Sequence, residues 1–219
     1  MANLAFRVID VETGARGLTP YFVFRLEITN GDPEARVEAL LLRSQIQIQP
    51  ARRAYSAPEK ERLGEVFGTP ERWGTTLRNT LWAIVDTNIP AFTGRTEIQL
   101  RIPCTYDLKI AAAKYFYALE DGQVSLLFLF SGTLFYQAEN GRLQIEQIPW
   151  EKECTYALSV KVWRDLIEAH YPNSAWIDLH RDLFERLYRF RRENGLSDWD
   201  QTIERLLAQA DAPYEREPA

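Results

Sequence analysis

The stretch that decides the fold is Tyr21-Phe22-Val23-Phe24-Arg25-Leu26-Glu27-Ile28-Thr29, in which apolar and polar residues alternate. Successive side chains of a β-strand point to opposite faces, so every second residue shares a face. The residues predicted to share the apolar face are Phe22, Phe24, Leu26 and Ile28. The same alternation recurs in Thr96–Ile102. We therefore predict sheets with one packed face and one face in water, which is typical of antiparallel pairing.

A second predicted strand, roughly Val37 to Gln49, follows the turn Asn30-Gly31-Asp32-Pro33. Its apolar face carries Leu40, Leu42, Ile46 and Ile48. Its opposite face carries Arg43, Gln45 and Gln47. Amide and guanidinium groups at alternate positions could form a row of hydrogen-bond donors for the carbonyls or carboxylates of a partner. The alternative is an ordinary solvated sheet face, which is polar in any case.

After Pro50 the spacing of the apolar residues changes from that of a strand to that of a helix. The spacing Ser56-Ala57-Pro58-Glu59 is that of a capping box and predicts the start of a helix. Trp73 and Trp82, beside this helical insert, are candidates for exposed aromatic anchors. Val124–Tyr136 is predicted as a central strand buried on both faces, and the signal is helical from Val160 onward.

These patterns predict an α+β protein whose core is an antiparallel, β-sandwich-like sheet. The predicted domains are an antiparallel β domain over 1–158 with a helical insert near 56–80 and a helix near 109–119, then C-terminal helices over 159–210 packed on the sheet, and a flexible tail over 211–219.

Composition and charge exclude several classes of function. The chain has 219 residues and a formal net charge of −5, so a nucleic-acid partner is not expected. The longest apolar run, Leu126–Phe130, is far shorter than the roughly 20 residues that cross a bilayer, so no membrane partner is expected. The N-terminal residues do not follow the pattern of a secretory signal. With only Cys104 and Cys154, a disulfide framework is not expected either, and we predict a cytoplasmic protein.

The sequence contains few residues in arrangements that are typical of catalysis. Neither a nucleophile elbow nor a glycine-rich nucleotide-binding loop is present, so we expect no cofactor and lean towards a protein that is not an enzyme. The alternative is an enzyme or metal carrier in which Cys104, Cys154, His170 and His180 converge in space. Cys104 is the best thiol candidate, since a helix is predicted to follow it, although a buried structural cysteine is the other interpretation.

A second polar group combines Tyr106 and Asp107 with Lys114 and Tyr115 at a predicted loop-to-helix junction. Capping of the helix by Asp107 is the alternative interpretation. Taken together, the candidate binding residues are Arg43, Gln45, Gln47, Arg53, Tyr55, Trp73, Tyr106, Asp107 and Lys114.

Six short strings give the chain a family resemblance. They are Gln45–Pro50, Phe67–Trp73, Pro103–Asp107, Ala111–Phe116, Leu129–Thr133 and Ile148–Trp150. Together they resemble an uncharacterised bacterial family, the domain of unknown function number 6084, over nearly the whole chain. The resemblance implies a gene near those of nickel–iron hydrogenases and their maturation proteins, and hence an accessory protein. It implies no catalytic residues.

The leading hypothesis is therefore a non-catalytic cytoplasmic binding or assembly accessory protein with a protein partner. Two alternatives stay open: the enzyme or metal carrier built on the cysteines and histidines, and a protein that holds a small apolar ligand between sheet and helices.

Overall fold

The computed structural model describes residues 3–14, 19–104, 110–138, 141–174, 177 and 179–211, with the side chains of 110–113 left out. The chain divides into two compact units, Met1–Asn173 and Ser174–Ala219. The strands of the first unit are β1 (Leu4–Gly14), β2 (Tyr21–Asn30), β3 (Arg36–Ile48), β4 (Thr80–Ile89), β5 (Phe92–Thr93), β6 (Arg95–Pro103), β7 (Gln123–Gln137), β8 (Leu143–Gln147) and β9 (Glu153–Ser159). Its helices are α1 (Ala57–Phe67), α2 (Trp73–Thr76), α3 (Ile110–Ala118) and α4 (Val160–His170), with 3₁₀ turns at Pro50–Arg52 and Pro70–Arg72.

Sheet A consists of three antiparallel strands in the order β1-β2-β6. In its central strand the predicted alternation is confirmed: the side chains fully removed from solvent are Phe22, Phe24, Leu26 and Ile28. The outer face of sheet A is charged. Glu27 lies there between Arg7 (2.7 Å) and Arg95 (2.8 Å), and Arg25 pairs with Asp10 at 2.9 Å.

Sheet B consists of six antiparallel strands. Its main order is β4-β3-β7-β8, with β5 paired to β3 and β9 paired to β7. The apolar face predicted for β3 is confirmed, since Leu40, Leu42, Ile46 and Ile48 are all buried. The strand predicted at Val124–Tyr136 is β7, and it is central because it pairs with β3, β8 and β9.

The core lies between the inner faces of the two sheets. Phe6 of sheet A stacks on Phe130 of sheet B, with ring centroids 4.3 Å apart. Phe24 meets Phe128 edge-on at 5.4 Å and Trp82 at 6.3 Å. Aromatic pairs of this kind contribute about 0.5–1.5 kcal/mol beyond the burial of their area. The prediction of an α+β fold with antiparallel, sandwich-like sheets is thus confirmed.

Helices close one end of the sandwich. As predicted, α1 begins with a capping box: Ser56 accepts from the backbone of Glu59, and the Glu59 carboxylate accepts from the backbone of Ser56. Phe116 of α3 packs between Trp82 (5.8 Å) and Trp163 of α4 (5.3 Å). These contacts bury aromatic surface that the sheets alone would leave open.

The two tryptophans proposed as exposed anchors are both buried, so that expectation is wrong. Trp82 lies among the rings of Phe22, Phe24 and Phe116. Trp73 is buried beside Tyr55, and its indole Nε1 donates to the Gly68 carbonyl at 2.9 Å. Trp82 is buried because it lies on the inner face of β4, against β2 and α3, and Trp73 is buried because it packs within the insert.

The described part of the second unit contains two helices, α5 (Arg181–Glu193) and α6 (Trp199–Asp211). Trp199 contacts the rings of Phe184 (5.4 Å) and Tyr188 (6.3 Å), and the Arg191 guanidinium lies 4.3 Å from its centroid. The tail predicted over 211–219 falls outside the described residues from 212 onward. Along the described ranges, no helix is both long enough and apolar enough to span a bilayer.

Candidate functional site

The row Arg43, Gln45 and Gln47 lies on the outer face of sheet B, opposite to the buried side of β3. Arg43 donates through Nε and Nη2 to the two carboxylate oxygens of Asp86 on β4, at 2.7 and 3.0 Å. This two-pronged hydrogen bond lowers the pKa of Asp86 and raises that of Arg43. Gln47 accepts from Asn79 at 3.2 Å. Both pairs are exposed, so a partner could engage them from solvent.

Apolar side chains share this face with the polar row. Residues opposite one another on neighbouring strands point to the same side. Gln45 is opposite both Ile84 and Leu129, and Ile145 is opposite Phe135. The most exposed apolar members of the face are Leu41 (46%), Ile84 (52%), Leu143 (59%) and Ile145 (63%). We call these four residues, together with Arg43, Gln45 and Gln47, the sheet-B face.

The sheet-B face was found only in part from the sequence. Strict alternation identifies the residues that share a side of a strand, and it placed Arg43, Gln45 and Gln47 together. Ile84 and Ile145 were missed because they lie on other strands, whose pairing the sequence does not give. Exposed apolar residues grouped with polar ones are characteristic of interaction surfaces.

Arg53 and Tyr55 belong to a different place, the junction between the 3₁₀ turn after β3 and α1. Arg53 donates through Nη2 to Glu59 at 2.8 Å and to the Asp121 carbonyl at 3.1 Å. The side chains of Arg53 and Glu59 are only 12% and 4% exposed. The Arg53 guanidinium also lies 5.1 Å from the Tyr55 ring centroid. A buried charge pair of this kind holds α1 to the sheet and offers little to a partner.

The Tyr55 hydroxyl lies 2.6 Å from the Pro50 carbonyl and 3.0 Å from the Tyr115 hydroxyl. A hydroxyl has a single proton, which Tyr55 gives to the carbonyl, so Tyr115 is the donor between the two phenols. Burial raises the pKa of both hydroxyls. Neither phenol is therefore suited to act as a base near neutral pH.

The remaining candidates do not assemble with these groups. Lys114 pairs with Glu65 of α1 at 3.2 Å, and both side chains are exposed. Tyr106 and Asp107 lie outside the described residues. The second predicted group thus yields one exposed ion pair and the buried Tyr115.

Both cysteines are free thiols that are partly buried against the core. Burial raises the pKa of Cys104 to about 12 and that of Cys154 to about 11. Because the thiolate is the reactive species, such thiols are poor nucleophiles near neutral pH. The structure thus shows no activation of the Cys104 thiol.

The metal-site alternative required Cys104, Cys154, His170 and His180 to converge. Across the described ranges, no three or more His, Cys, Asp or Glu side chains come close enough to hold a metal ion. The His170 ring instead packs edge-on against Tyr171 at 4.7 Å, and His180 is the N-cap residue of α5. Cys104, Cys154 and His170, which all lie in the first unit, therefore do not form the metal site of this alternative.

One small cavity opens beside β8. Its walls include Leu4, Leu134, Ile148 and Lys152, and its volume is about 10 Å³. That space holds about one water molecule, whereas sites for organic ligands are typically about 300–1,000 Å³. This cavity therefore does not support the apolar-ligand alternative.

Comparison of the sequence with protein families gives one finding. Residues 1–215 match the family described as "Family of unknown function (DUF6084)". No curated protein matches the chain.

Comparison with solved structures gives only weak similarities. A β-glucosidase from Kluyveromyces marxianus aligns with 71% of this chain and 15% of its own, at 11% identity and a TM-score of 0.27. β-Glucosidase 3B from Thermotoga neapolitana aligns with 71% of this chain and 17% of its own, at 14% identity and a TM-score of 0.25. The putative ApaA protein from Bordetella pertussis aligns with 72% of this chain and 92% of its own, at 14% identity and a TM-score of 0.24. TM-scores of this size establish neither a common fold nor a common function.

Proposed function

Because the chain belongs to the DUF6084 family, whose function is unknown, we propose its function from its own surfaces: it is a non-catalytic binding or assembly protein that docks a protein partner on the sheet-B face. The observation that carries this proposal is the grouping of exposed Leu41, Ile84, Leu143 and Ile145 around the polar row of β3. Exposed large apolar side chains gain free energy when a partner removes them from water, and for that reason they occur at interaction sites.

The chemistry of the face indicates the kind of partner. Its apolar residues would be buried against apolar side chains, which supplies most of the binding free energy. Gln45 and the exposed ion pair of Arg43 and Asp86 would hydrogen-bond to polar groups of the partner and fix its orientation. A folded protein surface that combines apolar side chains with hydrogen-bonding groups matches both requirements.

The chemistry of the remaining candidates supports a binding role over a catalytic one. The thiols of Cys104 and Cys154 have raised pKa values, and so do the phenols of Tyr55 and Tyr115. Arg53 and Glu59 form a buried ion pair. These groups stabilise the sandwich and its first helix.

The proposal is tested by affinity co-purification from the native host with the tagged chain as bait. The variant Ile84→Arg/Ile145→Arg places one charge on β4 and one on β8, the outer strands of the proposed interface. We expect recovery of the partner to fall at least about tenfold, since each desolvated charge costs more than about 1 kcal/mol. The free energy of unfolding should change by less than about 1 kcal/mol in total, because both positions are exposed.

A matched control places an arginine on the other sheet. Gln99 is exposed on β6, and Gln99→Arg should leave recovery of the partner unchanged. A partner retained by the Ile84→Arg/Ile145→Arg variant would refute the sheet-B face as the docking site. Repeated recovery of no partner with the wild-type chain would refute the binding role itself.

We further propose that the interaction takes place in the cytoplasm and that the partner belongs to a nickel–iron hydrogenase system. The support is the expected gene neighbourhood of the family, together with two free thiols that suit a reducing compartment. Specific recovery of a hydrogenase subunit or maturation protein with the bait would support this assignment. Recovery of unrelated proteins alone, lost in the Ile84→Arg/Ile145→Arg variant, would retain the docking face and reject the hydrogenase link.

A further inference from the structure

The helix α5 carries two neighbouring apolar rows. Phe184 and Tyr188 form the row that contacts Trp199 of α6. The other row consists of Leu183, Leu187 and Phe190, spaced by four and then three residues. This is the spacing of a coiled-coil seam, in which each apolar side chain packs into a facing helix. Leu183 is 46% exposed and Leu187 and Phe190 are half-buried, so the N-terminal end of this second row faces solvent.

The helix α6 repeats the arrangement. Ile203, Leu207 and Ala210 follow the same spacing of four and then three residues. Leu207 is 58% exposed, although it is a large apolar side chain. Each helix of this two-helix unit thus has a seam suited to one more helix, as helices in four-helix bundles do.

The charges beside the two seams are complementary. The helix α5 has five arginines against three acidic residues, a net charge of +2, whereas α6 has one arginine against three acidic residues, a net charge of −2. Arg186 lies three residues after Leu183, on the edge of the α5 seam. Glu204 lies three residues before Leu207, on the edge of the α6 seam, and Asp200 and Asp211 extend that acidic edge.

We propose that this helical hairpin is a homodimerisation element. The α5 seam of one chain packs on the α6 seam of a second copy, and Arg186 of each chain faces Glu204 of the other. A second copy is the occupant because the hairpin carries both complementary surfaces at once. A two-fold axis then relates two identical contacts, in which α5 of each chain packs on α6 of the other. Closed symmetric dimers are built in this way. Two hairpins joined in this way form a four-helix bundle.

The first test measures the mass of the full chain in solution by light scattering or sedimentation over a range of concentrations. The chain has a mass of 25.4 kDa, and we expect twice that value at high concentration. Leu187→Glu and Leu207→Glu should each weaken the dimer at least about hundredfold, since each places a charge in a desolvated seam. Circular dichroism shows whether the helices persist in these variants. A wild-type chain that is monomeric throughout, or variants that dimerise normally, would overturn the proposal.

The second test uses charge reversal and does not depend on disrupting the seam. Arg186→Glu alone and Glu204→Arg alone each create two like-charged pairs in the dimer, which should weaken it about tenfold. In an equimolar mixture of the two variants, the mixed dimer has two oppositely charged pairs. Association should therefore return to nearly the wild-type level on mixing. A contact within one chain cannot be restored in this way, so failure of the mixture to recover would overturn the proposed pairing.

The dimer and the proposed docking of a partner are distinguishable. The Ile84→Arg/Ile145→Arg variant changes the sheet-B face and leaves the hairpin intact, so it should remain a dimer. Dissociation of this variant would show that the copies meet through the sheets, and it would reject the hairpin as the dimerisation element.

Discussion

At the scale of single residues, Ser44 lowers the stability of the sandwich. It is fully buried on the inner face of β3, and its hydroxyl oxygen has no hydrogen-bond partner in the part of the chain that the structure describes. A buried hydroxyl without a partner costs free energy that it would recover in water. We expect Ser44→Ala to raise the free energy of unfolding by about 1 kcal/mol, measured by urea denaturation.

A matched serine should respond in the opposite direction. The Ser125 hydroxyl donates to the buried Gln49 side chain at 2.8 Å. Ser125→Ala leaves that amide oxygen unsatisfied and should lower the free energy of unfolding by about 1–2 kcal/mol. Stabilisation by Ser125→Ala, or destabilisation by Ser44→Ala, would contradict this account.

The raised pKa values of two thiols and two phenols predict how stability depends on alkaline pH. The pKa of Cys104 is raised to about 12 and that of Cys154 to about 11, from an ordinary value of 9.0. In the unfolded chain these thiols ionise first, so above about pH 9 the folded state binds more protons and stability falls with rising pH. Tyr55 and Tyr115, whose pKa values are also raised, act in the same direction.

We therefore expect the free energy of unfolding to decline between about pH 9 and about pH 11. Urea denaturation at about pH 8 and about pH 10.5 measures the decline. A Cys104→Ala/Cys154→Ala variant provides the control, because it retains only the contribution of the tyrosines and should show a smaller decline. Equal declines in the two proteins would show that the thiols are not responsible.

At the scale of elements, the ends and faces of several strands and helices were readable from the sequence. The alternation in β2 and β3 predicted which residues are buried, and the spacing of Ser56 and Glu59 predicted the first turn of α1. These signals are local, because strand pleat and helix capping act over two to four residues. Pairing between distant strands is not local, and for that reason the apolar part of the sheet-B face was missed.

Arg53 shows the same limit in the candidate site. The sequence named it as a candidate binding residue together with Arg43, Gln45 and Gln47. The structure instead turns it towards Glu59, the residue that also caps α1. A sequence shows that a positive and a negative charge are six residues apart, but not that both are removed from solvent. The row of three on β3 was therefore predictable, whereas the separate role of Arg53 was not.

The start of α1 provides a prediction at this scale. Glu59 accepts hydrogen bonds from Arg53 and from the backbone nitrogens of Ser56 and Glu120. Glu59→Gln removes the buried negative charge and leaves the Arg53 guanidinium uncompensated. We expect the free energy of unfolding to fall by about 3 kcal/mol in urea denaturation, the typical cost of breaking a buried ion pair.

The exposed ion pair of Lys114 and Glu65 serves as the control. Lys114→Ala removes a cation of the neighbouring helix that remains in contact with water, so it should change stability by less than about 1 kcal/mol. If the two substitutions had similar effects, Arg53 and Glu59 would not form the buried anchor of α1.

At the scale of the whole molecule, the division into two compact units predicts that the first folds independently. The sandwich core and the aromatic contacts of α3 and α4 all lie within Met1–Asn173. We expect a chain ending at Asn173 to retain its near-ultraviolet circular dichroism from buried aromatic rings and to unfold in one cooperative transition. Loss of that signal would show that the second unit is required for the fold.

The two outer faces of the sandwich differ in chemistry, because the outer face of sheet A is charged. Glu27 between Arg7 and Arg95, and Arg25 with Asp10, keep that surface well hydrated. Among the described residues, no large apolar side chain is exposed on sheet A, so this face offers little apolar surface to a partner. A complex formed through sheet B would therefore leave the outer face of sheet A in solvent. This protein would then lie at the periphery of the complex rather than at its centre.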